Sequence, residues 1–288
     1  MIDIKKHSLY NAMEVDTVIS TIFKVYFKKF LVLFISSFIA VFAIQMVLYQ
    51  LGFWEFYRQD FTNLEDIMLL YSKLMGKVAI VSVISIIIYG FLNAFLVNFL
   101  LKSDGIENPN IGEIFIESIR KYSIHMIFFL ILSTLMLVFG IFIGILALII
   151  GSIVAMLYLG TVLILGGTIV VAEEKNALET IGRSFTLGHK DFWPLLGSMV
   201  LFGLIMILIS LILAAFMAIP FVFMFFENWK ESGSFSDLFN RQFYDIGLWS
   251  VVFNSLVSAL TYPFYAIISV VLYFKAKFVE DQKNMTHP

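Results

Sequence analysis

From Ile124 to Ala172 the chain runs for 49 residues without an aspartate, glutamate, lysine or arginine. One helix crossing the hydrocarbon core of a bilayer needs about 20 apolar residues. As a single helix this run would be roughly 70 Å long at 1.5 Å per residue, over twice the thickness of that core. It has to fold back into two spans with almost no polar turn between them. The expected reversal lies between Gly144 and Gly151, where glycine tolerates the dihedrals of a tight turn. The solvent of this chain is therefore lipid, in which each backbone polar group must be satisfied within its own helix. Composition agrees, with 60% hydrophobic and 14% charged residues, against about 25% charged in a soluble domain.

The same pattern predicts spans at 30–51, 78–101, 123–143, 147–171, 192–219 and 248–274. The fold expected is an all-α membrane protein of six transmembrane helices, arranged as three hairpins in a single integral membrane domain over 1–288. Each hairpin is preceded by an amphipathic helix. In 11–29, Val15, Val18, Ile22 and Tyr26 share one face, with Asp16, Thr17, Lys24 and Lys28 opposite. In 111–122, Ile111, Phe115, Ile119 and Tyr122 line up, and Glu117 and Lys121 stand at i,i+4 spacing. A third helix follows Asn176, with Glu179 and Arg183 at the same spacing. Asn11, Asn110 and Asn176 each precede a glutamate by three residues, which suits a helix start by hydrogen bonding and by charge. Three such starts in register with three hairpins suggest repeats at 11–101, 110–172 and 176–274. Thr62 to Glu65 and Ser234 to Asp237 also read as helix starts. Pro220 is expected to kink or end the fifth span and Pro263 to kink the sixth, which Lys275 and Lys277 close.

Of the 19 lysines and arginines, 14 fall on the side that holds both termini and 5 on the other. The positive-inside rule then puts both termini in the cytoplasm, in a bacterial cytoplasmic membrane. Trp54, Trp193, Trp229 and Trp249 all fall at predicted membrane boundaries. With a net charge of −2 and no cysteine, nucleic-acid binding, disulfides and thiolate chemistry are not expected. The four histidines form no metal-ligand spacing, so no metal or cofactor is expected. No ionisable residue sits at mid-span, which argues against a buried proton relay. The polar residues within spans are Gln45, Asn93, Asn98 and Asn254, best suited to hydrogen bonds between helices and secondarily to a solute. Gly140 and Gly144 form a small-residue motif for close helix packing. The candidates for lipid or partner contact sit at the cytoplasmic interface: Lys28, Lys29, Arg120 and Lys121, then Arg183, Ser184, Phe185, Lys190 and Trp193. Arg183 is read there as a contact to anionic lipid phosphate.

The most specific stretch is Ala177-Leu178, Arg183-Ser184-Phe185, Leu187 and Phe192-Trp193, preceded by the acidic Glu173-Glu174. Together with Pro263 and Leu272-Tyr273-Phe274, it resembles the pattern of the family named after the glycerophosphoryl diester phosphodiesterase membrane domain. The resemblance covers the second half of the chain in residues and the first half in layout. It implies a stand-alone multi-pass membrane domain without the phosphodiesterase barrel of fused members. The functional expectation is a non-enzymatic membrane protein that organises the bilayer or other membrane proteins. The alternatives are a permease-like carrier of an apolar or amphipathic solute and, third, a lipid-processing enzyme.

Overall fold

A computed structural model describes residues 4–52, 64–104, 109–146, 148–232 and 247–286. Among them every regular element is helical. Six stretches are long and apolar enough to cross a membrane: Phe30–Gln50, Leu74–Lys102, Ile111–Leu146, Ile149–Ala172, Phe192–Phe216 and Val251–Met285. The protein is an all-α, multi-pass membrane protein. In chain order the helices are α1 (Val15–Lys28), α2 (Phe30–Gln50), α3 (Leu64–Lys102), α4 (Ile111–Glu117), α5 (Ser123–Leu146), α6 (Leu148–Leu163), α7 (Gly166–Ala172), α8 (Ala177–Lys190), α9 (Phe192–Ser232), α10 (Gly247–Thr261) and α11 (Pro263–Thr286). The caps expected at Thr62 and Ser234 lie outside the described residues.

Two of the three asparagine caps form. The Asn110 and Asn176 side chains accept from the backbone N–H of Glu113 and Glu179 at 3.3 and 3.0 Å. Asn11 does not cap. Its amide donates to the Ser8 carbonyl, and α1 begins only after Glu14, whose extended backbone precedes the helix without a side-chain bond. The α9 helix continues through Pro220 to Ser232, so of the expected kink or end at that proline the end does not occur. A transmembrane helix can keep its path past a proline because neighbouring groups re-satisfy the freed carbonyl. At Pro263 the chain does break, and the proline becomes the first residue of α11, where a missing N–H costs nothing. α11 then continues three turns beyond Phe274, since no glycine or proline occurs before Thr286.

The organising run folds back as α5 and α6, with the reversal between Leu146 and Leu148. The glycines serve differently from expectation. Gly144 and Gly151 are both helical, so no unusual dihedral is needed there. A Cβ on Gly144 would lie 2.5 Å from the Ser152 nitrogen and 2.6 Å from the Gly151 carbonyl carbon. Glycine is required because two backbones touch, and the Ser152 hydroxyl closes the contact on the Ile141 carbonyl at 3.1 Å.

The chain forms two compact units. The first comprises Met1–Leu33, Tyr89–Leu204 and Tyr262–Pro288; the second, Phe34–Ile88 and Ile205–Thr261. In the first, α11 is the central helix. Ile267, Val271, Leu272, Tyr273 and Phe274 are all fully buried. A helix that is apolar all round belongs in such a place. α1 lies along it, with Val18 and Ile22 buried and Tyr26 stacked on Phe264 at 4.2 Å. In the second unit the described polar span residues Gln45 and Asn254 are half-buried, and Phe34, Phe38 and Phe42 stack along α2.

Candidate functional site

Between Glu117 and Ser123 the helix widens into a π turn, Ser118–Tyr122. The Ser123 hydroxyl donates to the Ser118 carbonyl and the Ser118 hydroxyl to Ile114. Asn98 of α3, fully buried, donates to the Ser118 hydroxyl at 3.0 Å and to the Ile114 carbonyl. The expected i,i+4 pair of Glu117 and Lys121 does not form. Glu117 instead accepts from Lys102, and Lys121 reaches Glu174. Glu174 has a φ of 54°, the left-handed region that a non-glycine residue enters only at a cost. That conformation ends α7 and turns the chain toward α8.

The densest polar assembly lies where α7, α8 and the extension of α11 meet. Glu280 is the hub, with a side chain only 6% exposed. It accepts from Arg183, from Lys190 at 2.8 Å and from Lys277 at 2.7 Å. Arg183 holds Glu280 with both terminal nitrogens and Glu173 through Nε at 2.9 Å. The Tyr273 hydroxyl donates to Glu173 at 3.2 Å. The Glu280 and Glu173 hydrogen bonds hold the Arg183 guanidinium firmly charged, outweighing its burial. This corrects two expectations. Arg183 pairs with Glu173 and Glu280 and not with Glu179, and its guanidinium points into the protein rather than toward a lipid phosphate. Ser184 is fully buried beside it, and its hydroxyl has no partner among the described residues.

A second tie fixes the N-terminal turn. Asp104, just past α3, accepts from the Ser8 N–H at 2.6 Å and the Ser8 hydroxyl at 2.7 Å. His7 stacks on Phe274 at 4.3 Å, and its Nδ1 accepts from the Leu9 N–H. Burial lowers the His7 pKa from its ordinary 6.5, only partly opposed by Asp104. For Asp104, burial would raise the pKa, but the Ser8 hydrogen bonds with His7 and Lys28 nearby bring it below 3.8. Both folded values are depressed, so both groups contribute stability that is present at high pH and lost on acidification. The His7 share begins to fall below pH 6.5 and the Asp104 share below pH 3.8. Amide exchange at Ser8 and Tyr10, corrected for intrinsic rate, is expected to accelerate between pH 7 and 5 in the wild type and to respond less in His7→Phe.

Within the spans, Asn93 donates to the Tyr262 hydroxyl at 2.6 Å and to the Tyr89 carbonyl at 3.0 Å. Tyr262 stacks on Tyr89 at 4.8 Å. Asn93 and Tyr262 border a cavity of about 400 Å³ whose other polar edges are Ser133, Tyr265 and Ser269, among mainly aliphatic walls. Asn93 and Asn98 serve separate contacts.

The remaining candidates divide by exposure. Lys29 donates to the Ser103 carbonyl at 3.0 Å, while Lys28 and Arg120 are exposed. Trp193 is 77% exposed and Leu178 72%. Phe185 is half-buried and lies against His189, whose Nε2 meets the Tyr158 hydroxyl at 2.8 Å. The sequence reading placed Glu173 and Tyr273 only in the family pattern and Lys277 only at the close of the last span, and it did not name Glu280. The available signal was the absence of a helix breaker after Phe274, with Lys277, Glu280 and Asp281 at helical spacing. Among the described residues no group of three histidine, cysteine, aspartate or glutamate side chains could hold a metal ion. No family model, curated protein or solved structure matches this chain.

Proposed function

We propose that the protein is a non-enzymatic, multi-pass membrane protein whose interfacial helices organise the surrounding bilayer or partner proteins. The observation that carries this reading is the surface of α8 and its neighbours. Arg183 and Lys190 of α8 turn inward onto Glu280. Phe115 and Ile116 of α4, Leu178 of α8 and Trp193 at the start of α9 are exposed, interspersed with exposed charges such as Glu113, Arg120 and Glu179. Such a surface suits the headgroup–acyl boundary or an apolar partner. The charge asymmetry of the loops supports cytoplasmic termini and, with them, a cytoplasmic position for α4 and α8. The stretch resembling the phosphodiesterase membrane-domain family is α8 with the first turn of α9, and on this reading the chain is a stand-alone relative of that family.

A photoreactive residue at 178 or 193 is expected to yield lipid or membrane-protein adducts in cells. Adducts only with small water-soluble proteins would sink the proposal. The topology is tested in this cysteine-free chain. Glu179→Cys is expected to react with an impermeant maleimide only from the cytoplasmic side, and Ser234→Cys only from outside; the opposite pattern inverts the orientation. A second reading, carriage of an amphipathic solute, is favoured by the cavity at Asn93 and Tyr262. Saturable uptake by proteoliposomes that Asn93→Leu abolishes would establish it over the first.

A further inference from the structure

A cavity of about 470 Å³ lies beside α1, apart from the ion-pair hub. One wall is a single stripe of α1. Thr17, Thr21, Lys24 and Lys28 all line the cavity, and their spacing of four, three and four residues stacks them on one helix face. The facing wall is the N-terminal turn at His7 and Ser8 with the end of α3 at Ser103 and Asp104. The floor is apolar, from Leu100, Ile267, Val270 and Val271. The cavity thus sits at the level where the span Phe30–Gln50 begins and the span Leu74–Lys102 ends.

Its charge is unbalanced. Asp104 is the one acidic residue in the lining, and both its oxygens already accept from Ser8. Lys29 is committed to the Ser103 carbonyl. Lys24 and Lys28 have no carboxylate within ion-pair distance among the described residues, although Asp104 is near enough to feel the Lys28 charge. Two ammonium groups and the Thr21 hydroxyl therefore border an aliphatic surface, while the Thr17 hydroxyl donates to Asp16 at 3.3 Å. Both lysines are exposed, so they attract an anion by charge, screened by salt. A carboxylate could balance one lysine, but donors arranged along three turns of helix suit the several oxygens of a phosphate, and ammonium groups bind phosphate as point charges. Basic pockets at the cytoplasmic ends of membrane helices are a recurrent form of headgroup site.

We propose that this cavity binds the phosphate group of an anionic amphiphile. The phosphate sits against Lys24, Lys28 and the Thr21 hydroxyl, and the glycerol or acyl portion covers Val270 and Val271. This site is independent of what the outer faces of α4 and α8 contact, so it stands or falls separately from the organising role.

The test is native mass spectrometry of the full chain in an uncharged detergent, titrated separately with short-chain phosphatidylglycerol, short-chain phosphatidylcholine and inorganic phosphate. One phosphatidylglycerol per chain is expected to be retained in preference to phosphatidylcholine. Lys24→Gln and Lys28→Gln are each expected to weaken it at least about fivefold, while Lys24→Arg retains it. Lys175→Gln, a cation outside this lining, is expected to leave binding unchanged. Inorganic phosphate bound as tightly, with the same loss in the lysine variants, would identify free phosphate as the source and keep the site. Equal binding of both lipids, wild-type binding by both glutamine variants, an equal loss in Lys175→Gln, or no anion bound at millimolar concentration would each overturn the proposal. The two lysines are exposed, so their variants are expected to melt with the wild type.

Discussion

Glu280→Ala is expected to destabilise the protein by about 3–5 kcal/mol, the usual cost of removing one partner from a buried ion pair. The substitution leaves Arg183 with only Glu173, Lys277 with only Asp281 at 3.4 Å, and Lys190 without its carboxylate. The side chains of Arg183 and Glu280 are 17% and 6% exposed, so water cannot replace the lost partner as it does at a surface pair. Glu280→Gln keeps the shape and two acceptor positions but not the charge, and an intermediate loss of about 2 kcal/mol is expected. The double variant Arg183→Ala/Glu280→Ala should lose less than the sum of the single variants, because the second change removes a charge the first had stranded. Thermal and SDS titrations in detergent measure all three. A loss below about 1 kcal/mol in Glu280→Ala would show the cluster to be energetically a solvated surface pair.

Gly144→Ala is the second large effect, although it adds a single methyl group. The new Cβ would stand 2.5–2.6 Å from three backbone atoms of Gly151 and Ser152. Backbone cannot swing aside as a side-chain tip can, so α5 and α6 must separate, and the Ser152–Ile141 bond goes with them. Overpacking of this kind costs about 1–3 kcal/mol. Two other glycines calibrate it. At Gly140 the close neighbour is Cδ1 of Leu159, the far end of a flexible side chain, so Gly140→Ala should cost less. At Gly182, inside α8, nothing lies within 4 Å, so Gly182→Ala should be neutral or gain up to about 1 kcal/mol from helix propensity. The expected order of melting temperature is Gly144→Ala lowest, then Gly140→Ala, then wild type, with Gly182→Ala at or above it. Equal melting of the Gly144 and Gly140 variants would show that the hairpin has slack the geometry does not suggest.

The polar contacts were legible only where they are local. Asn110 and Asn176 cap their helices because the cap bond spans three residues and depends on little else. Asn11 has the same spelling, yet the Ser8 carbonyl takes its amide and the helix starts later. The pairs expected at i,i+4 on α4 and α8 lost to partners far along the chain. Glu117 found Lys102, and Arg183 found a glutamate 97 positions away. An exposed i,i+4 pair is worth only a few tenths of a kcal/mol, too little to hold an arginine against two buried carboxylates. Lys24 and Lys28 read in the sequence as the polar face of an interfacial helix, with Lys28 a candidate for lipid contact. The tertiary structure places them in the lining of one cavity with the N-terminal turn and the end of α3.

The sequence by itself determined the solvent, the six spans and a fold-back between Gly144 and Gly151, because a charge-free run has one stable environment and a bilayer one thickness. It also determined the basic stretches that border the spans. Only the tertiary structure decided which apolar helix becomes core. In α11, Val271, Leu272, Tyr273 and Phe274 are at most 1% exposed, while in α9 Leu204, Leu208 and Leu211 are more than half exposed. The physical reason is that lipid tails are as apolar as leucine, so hydropathy separates membrane from water but not protein from lipid. That choice rests on close contacts such as Gly144 on Ser152, and on polar ties such as Glu280 with Arg183, which exist only once distant parts of the chain meet.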